Sequence, residues 1–89
     1  MDLAEQFKSA QEDIQKLTER PSNDELLNIY ALFKQATEGD NEEPEPGMFD
    51  IKAAFKWKKW TEKKGLSKEE AMQQYIDLVK ELFSKYSHS

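Results

Sequence analysis

The sequence predicts an all-α bundle of four helices. Three observations carry that prediction. Four segments place apolar residues at three- and four-residue steps, two Ser-x-x-Glu capping boxes mark helix starts, and no segment alternates apolar and polar residues as a strand would. The chain has 89 residues, which suits one domain spanning residues 1–89.

The first helix is expected over residues 3–17, where Leu3, Phe7, Ala10, Ile14 and Leu17 form one apolar face. Pro21 ends the linker that follows. Ser22 then supplies a side-chain oxygen for a free N–H, and Glu25 stands three residues on, so the pair opens a second helix. That helix runs to about Thr37, with Leu26, Ile29, Tyr30 and Phe33 on one side, and Gly39 is its stop. Residues 38–50, EGDNEEPEPGMFD, combine two prolines, two glycines and an acidic cluster, and read as a long solvated crossover loop. A calcium loop needs D-x-D-x-D-G spacing, which is missing here.

A third helix is expected from Ile51 to Lys64, ending at Gly65. Ser67 and Glu70 form the second capping box, with Leu66 and Ala71 as a weak hydrophobic staple. The last helix is the longest. Met72, Tyr75, Val79, Leu82 and Tyr86 line its apolar face, widened by Ile76, Leu78 and Phe83.

Composition removes several function classes. With no cysteine there is no disulfide, thiolate or zinc–sulfur site. The one histidine, His88, lies at the C-terminal end, and neither a Walker loop nor G-x-S-x-G is present, so an enzyme is not expected. No metal site or cofactor is expected either. The N-terminal residues MDLAEQFK lack a signal-peptide pattern, and the apolar run LLNIYALF is too short to span a bilayer. A cytoplasmic location is therefore the expectation.

Charge is distributed unevenly. The net charge is −5, yet Lys52 to Lys64 holds six lysines against one acid, Glu62. An acidic body disfavours nucleic acid, whose nonspecific affinity comes from cation-driven counterion release. A local basic stripe suits a small anion.

The stripe sits beside aromatic residues in FKWKKW, residues 55–60. On a helix, Ala53, Ala54, Trp57, Trp60 and Thr61 share one broad side, while Lys52, Lys56, Lys59 and Lys63 form a second ridge about 100° away. Both tryptophans are thus expected in the core, with lysines bordering it. On the second helix Tyr30, Phe33 and Lys34 form one patch of aromatic rings and a cation. Rings stack on nucleobases, and a tyrosine hydroxyl and a lysine hold phosphate. Two such patches on neighbouring helices could recognise a nucleotide without a glycine-rich loop. A helical protein-interaction module, or one using the lysines on an anionic membrane surface, is the alternative.

The segments YALFKQATEGD (30–40), PGMFD (46–50), KWKKW (56–60), GLS (65–67) and AMQQYI (71–76) resemble the acyl-CoA-binding protein family. The match runs in order and without gaps from about Phe7 to Tyr86. The resemblance implies an up-down-down-up bundle with its long loop between helices 2 and 3. It also implies a monomeric carrier and pool former for medium- to long-chain fatty acyl-CoA thioesters, with at most transient membrane contact. Residue by residue, it implies that Tyr30, Lys34 and Lys56 meet the 3′-phosphate region and that Phe33 stands where an adenine-stacking tyrosine would. Lys52 matches a further headgroup lysine, and Tyr75 a tyrosine that closes over the ligand. Leu26, Leu27 and Ile29 match positions near the acyl-chain groove. Three positions depart from the family pattern: Gln15 replaces a lysine, Glu45 an arginine and Phe55 an alanine. They bear on affinity and chain length rather than on ligand class.

Overall fold

A computed structural model describes residues 2–88. Four helices make up the fold: α1 (Leu3–Ile14), α2 (Asn23–Glu38), α3 (Ile51–Glu62) and α4 (Lys68–Lys85). They run up, down, down, up. Because α2 and α3 point the same way, the chain between them must travel back about the length of a helix, roughly 18 Å for twelve residues. Residues 39–50 make that return.

Both capping boxes form. Ser22 accepts the Glu25 N–H at 3.2 Å while Glu25 accepts the Ser22 N–H at 2.9 Å. Ser67 and Glu70 repeat the arrangement on α4. Asp2 and Asp50 cap α1 and α3 by accepting the N–H of Glu5 and of Ala53.

Helix α1 ends earlier than its apolar pattern suggests, and α3 ends before the expected Lys64. After Ile14 the bonds tighten, Lys16 N–H reaching Asp13 O at 2.8 Å. Leu17 then pairs as an isolated bridge with His88, and Thr18 N–H donates to Ser87 O at 2.9 Å. The C-terminal tail therefore lies along the α1–α2 linker. After Glu62, Lys63 and Lys64 donate to Trp60 O and Thr61 O in the same tightened way, and Gly65 turns the chain at φ +97°.

Helix α4 is central. It packs against α1 and α2, and α2 in turn packs against α3. The core cluster is Phe7 and Ala10 from α1, Leu32 and Ala36 from α2, and Ala71, Tyr75, Ile76 and Val79 from α4. Alanines at 31, 36 and 71, all at or near zero exposure, let the helix backbones approach closely. Each fully buried Ile, Val or Leu here contributes about 1.5–3 kcal/mol. Among the described residues α1 has no backbone-level packing with α2. Aromatic side chains bridge that gap instead, and they lead to the site.

Candidate functional site

Phe33 on α2 stacks on Phe7 of α1, with ring centroids 6.2 Å apart and planes 25° from parallel. Phe7 meets Tyr75 of α4 edge-on at 5.0 Å and 79°. The three rings form the floor of the space between α1 and α2. Phe33 is half-buried, so part of its ring remains open to a partner. Tyr75, expected to close over a ligand, is only 3% exposed and belongs to that floor. Burial pushes its phenol up to about 12. Its hydroxyl, protonated at neutral pH as in any tyrosine, can donate a hydrogen bond.

Helix α3 reaches the same region from the other side of α2. The Lys56 ammonium stands 5.1 Å from the centroid of the Tyr30 ring. Lys34, one turn beyond Tyr30, places its ammonium 4.9 Å from the Trp60 ring and in an ion pair with Glu38. The hydrogen bond that Lys34 donates to Glu38 holds the Lys34 pKa above the ordinary lysine value. Lys52 lies exposed one turn before Lys56 on the same ridge. It sits in the first turn of α3, which carries no acid, so its charge adds to the positive end of the helix dipole. The ridge is not uniform: Lys59 pairs with Asp24 at 2.9 Å and ties α3 to the start of α2.

Leu26, Leu27 and Ile29 are half-buried, and Ile29 packs on the core cluster. A larger apolar surface was not anticipated from periodicity. Met48 (83% exposed), Phe49 (93%), Ile51 and Phe55 lie open at the start of α3 and in the loop before it. Ile51 and Phe55 fall on the helix side opposite Trp60. The signal for them was the presence of large apolar side chains on the solvated side of the helical wheel.

The tryptophans divide their work. Trp60 is buried, as expected, and its indole N–H donates to Gly39 O at 2.8 Å. Trp57 is a correction: it is half-buried outside the core, and its N–H donates to Glu43 O at 2.8 Å. Asn41 adds bonds to Trp57 O and the Thr61 hydroxyl. The first part of the crossover loop is thus pinned to α3, which fixes α3 against α2 and sets where Lys56 falls. Gly39 makes this turn at φ +83°.

Two shallow clefts elsewhere do not include these residues. One lies where Asn28, Lys63, Gln74, Asp77 and Glu81 meet, the other between α1 and α4 near Asp13 and Ile76. Acids on their walls suit an anion poorly. Among the described residues no group of His, Asp and Glu side chains gathers as for a metal, and no helix is long and apolar enough to cross a membrane.

The arrangement offers an aromatic floor, a protonated phenol and two lysines from adjacent helices, Lys34 over the Trp60 ring and Lys56 over the Tyr30 ring. The family model described as "Acyl CoA binding protein" matches residues 4–79. The chain belongs to the acyl-CoA-binding protein family. An acyl-CoA-binding protein homolog of Drosophila melanogaster is 49% identical over 85 residues, covering 96% of this chain and 99% of that one. Acyl-CoA-binding protein homolog 1 of Caenorhabditis elegans is 54% identical over 80 residues, covering 90% and 93%. The crystal structure of Oryza sativa acyl-CoA-binding protein 2 is similar to this fold with a TM-score of 0.90, at 40% identity over 94% of this chain and 93% of that one. The solution structure of the yeast acyl-coenzyme A binding protein has a TM-score of 0.70 at 47% identity, covering 91% and 94%.

Proposed function

We propose that this acyl-CoA-binding protein family member binds medium- to long-chain fatty acyl-CoA thioesters with high affinity and serves as their carrier and pool former. It does so as one monomeric cytoplasmic domain, without catalysis. The observation that carries the reading is the convergence of Lys56 from α3 on Tyr30 of α2, one helical turn from Lys34. Cations from two helices beside open aromatic rings fit a nucleotide that carries phosphate. In this reading Tyr30, Lys34, Lys52 and Lys56 hold the phosphates, Phe33 stacks on adenine and Tyr75 donates its hydroxyl. Leu26, Leu27 and Ile29 receive the acyl chain, and the exposed Ile51 and Phe55 gain burial from it.

Calorimetry with acyl-CoA thioesters of increasing length tests this. Each buried methylene adds at most about 0.8 kcal/mol, so two carbons add up to roughly tenfold in affinity until the groove is full. Coenzyme A alone and free fatty acid should bind much more weakly. A flat response to chain length, or equal binding of free fatty acid, would sink the reading.

One observation favours a second reading, an anionic membrane-surface module: Met48 and Phe49 stand exposed beside the lysine-rich helix. Tight sedimentation with phosphatidylserine vesicles, together with no thioester binding, would establish that reading instead.

A further inference from the structure

The two lysines assigned to the phosphate are not equivalent in their surroundings. Lys56 contacts only a tyrosine ring and forms no ion pair among the described residues. Lys34 is already engaged. Its ammonium lies between the Glu38 carboxylate and the Trp60 ring, its side chain is 19% exposed, and Glu43 adds a further negative field.

Helix stability does not account for Glu38. It is the last residue of α2, where the helix dipole is negative and a carboxylate is disfavoured. The pair also runs with lysine N-terminal to glutamate, the weaker of the two orientations for an i,i+4 contact. An acid at this position weakens the helix end while neutralising a cation that faces the site.

We propose that Glu38 is an internal competitor for Lys34: its carboxylate occupies the ammonium, must yield it to the ligand's phosphate, and so sets how tightly that phosphate is held. This inference rests on the acyl-CoA reading above and adds a residue that tunes it. On binding, the Lys34 ammonium swings from the carboxylate to the phosphate. Glu38 is then left unpaired near a phosphate carrying close to two negative charges. That repulsion favours release, which a carrier needs as much as capture.

The test is calorimetry of wild type and Glu38→Gln with hexadecanoyl-CoA and with its 3′-dephospho form, at low salt and at about 0.15 M. Glu38→Gln keeps the shape and removes the charge. It should bind hexadecanoyl-CoA about three- to tenfold more tightly at low salt, with a smaller gain at the higher salt. Binding of the dephospho form should change by less than about twofold, because the repelled group is absent. In the Lys34→Ala background the gain should shrink, since the contested cation is gone and only the repulsion between Glu38 and the phosphate is left to relieve. Unchanged or weaker binding of hexadecanoyl-CoA by Glu38→Gln would overturn the inference, as would an equal gain for both ligands. If the wild type binds hexadecanoyl-CoA and prefers it to the dephospho form while Glu38→Gln gives no gain, only the role of Glu38 fails. If the wild type binds neither thioester, the acyl-CoA reading fails with it.

Discussion

Gln35 Nε2 donates to Asp40 Oδ1 at 2.8 Å, and the same oxygen accepts the Gly65 N–H at 2.9 Å. Gln35 also donates to Leu66 O at 2.9 Å, so one fully buried amide joins α2, the crossover loop and the α3–α4 turn. Its own Oε1 is buried without a hydrogen-bond partner among the described residues. Gln35→Ala leaves a cavity and strands the Leu66 carbonyl, and should cost about 2–4 kcal/mol in chemical denaturation. Gln35→Met fills the space and deletes the unpaired acceptor, so it should cost less. Equal losses for the two variants would show that packing is not part of this residue's role.

The tryptophans should separate by mutation. Trp60→Ala empties a buried site and should cost about 3–5 kcal/mol. Trp57→Ala removes a half-buried ring and one bond to Glu43 O, worth about 1–2 kcal/mol together. Amide hydrogen exchange should then quicken in residues 41–43 before it does in α4. Equal stability losses for the two variants would contradict the division between core and loop.

Acid should unfold the protein through identifiable carboxylates. Glu25 accepts from the Tyr86 hydroxyl, the Ser22 N–H and Lys85, which together hold its pKa at about 2. Asp40 is lowered by the Gly65 N–H and Gln35. A carboxyl whose folded pKa is depressed contributes stability that is fully present above its unfolded value, about 4.3 for Glu, and is lost as pH falls through the folded one. Denaturation midpoints should therefore hold steady from pH 7 to about pH 5 and fall between about pH 4.5 and pH 2. Glu25→Gln should lower stability at pH 7 and flatten that acid limb. An acid limb of unchanged steepness in Glu25→Gln would assign the loss elsewhere.

For the ligand, Lys34→Ala and Lys56→Ala should each weaken acyl-CoA binding roughly 10- to 100-fold, since a hydrogen bond to a charged group is worth about 1.5–3 kcal/mol. Both lysines are assigned to one phosphate, so the double variant should lose less than the product. It should also stop discriminating dephospho thioesters. A wild type that binds normal and dephospho thioesters equally would refute both assignments.

The starts of α2 and α4 were legible because capping boxes are local: Ser22 with Glu25 and Ser67 with Glu70 carry their partners within one turn. The ends of α1 and α3 were not. Leu17 keeps the apolar rhythm of α1, but its backbone is claimed by His88, a residue from the far end of the chain. The wheel placed Trp57 and Trp60 on the same side, and only the folded loop shows that Glu43 takes one of them. Tyr30, Lys34 and Lys56 were visible as two aromatic–cation patches on adjacent helices. Lys59 looked the same as Lys56 on its ridge, and its pairing with Asp24 depends on how α3 lies across α2.

Helix α1, the first segment to be synthesised, meets α2 only through the Phe7 and Phe33 rings, and among the described residues its backbone-level helix packing is with α4, the last. Chain elongation therefore separates the two by everything in between. Helices α2 and α3 can dock as soon as both are made, whereas the aromatic face of Phe7 stays without its Tyr75 edge until α4 emerges. A nascent chain that stalls before residue 68 offers α1 only the Phe33 ring to close on, and the rest of its apolar stripe would be open to chaperones until α4 is made.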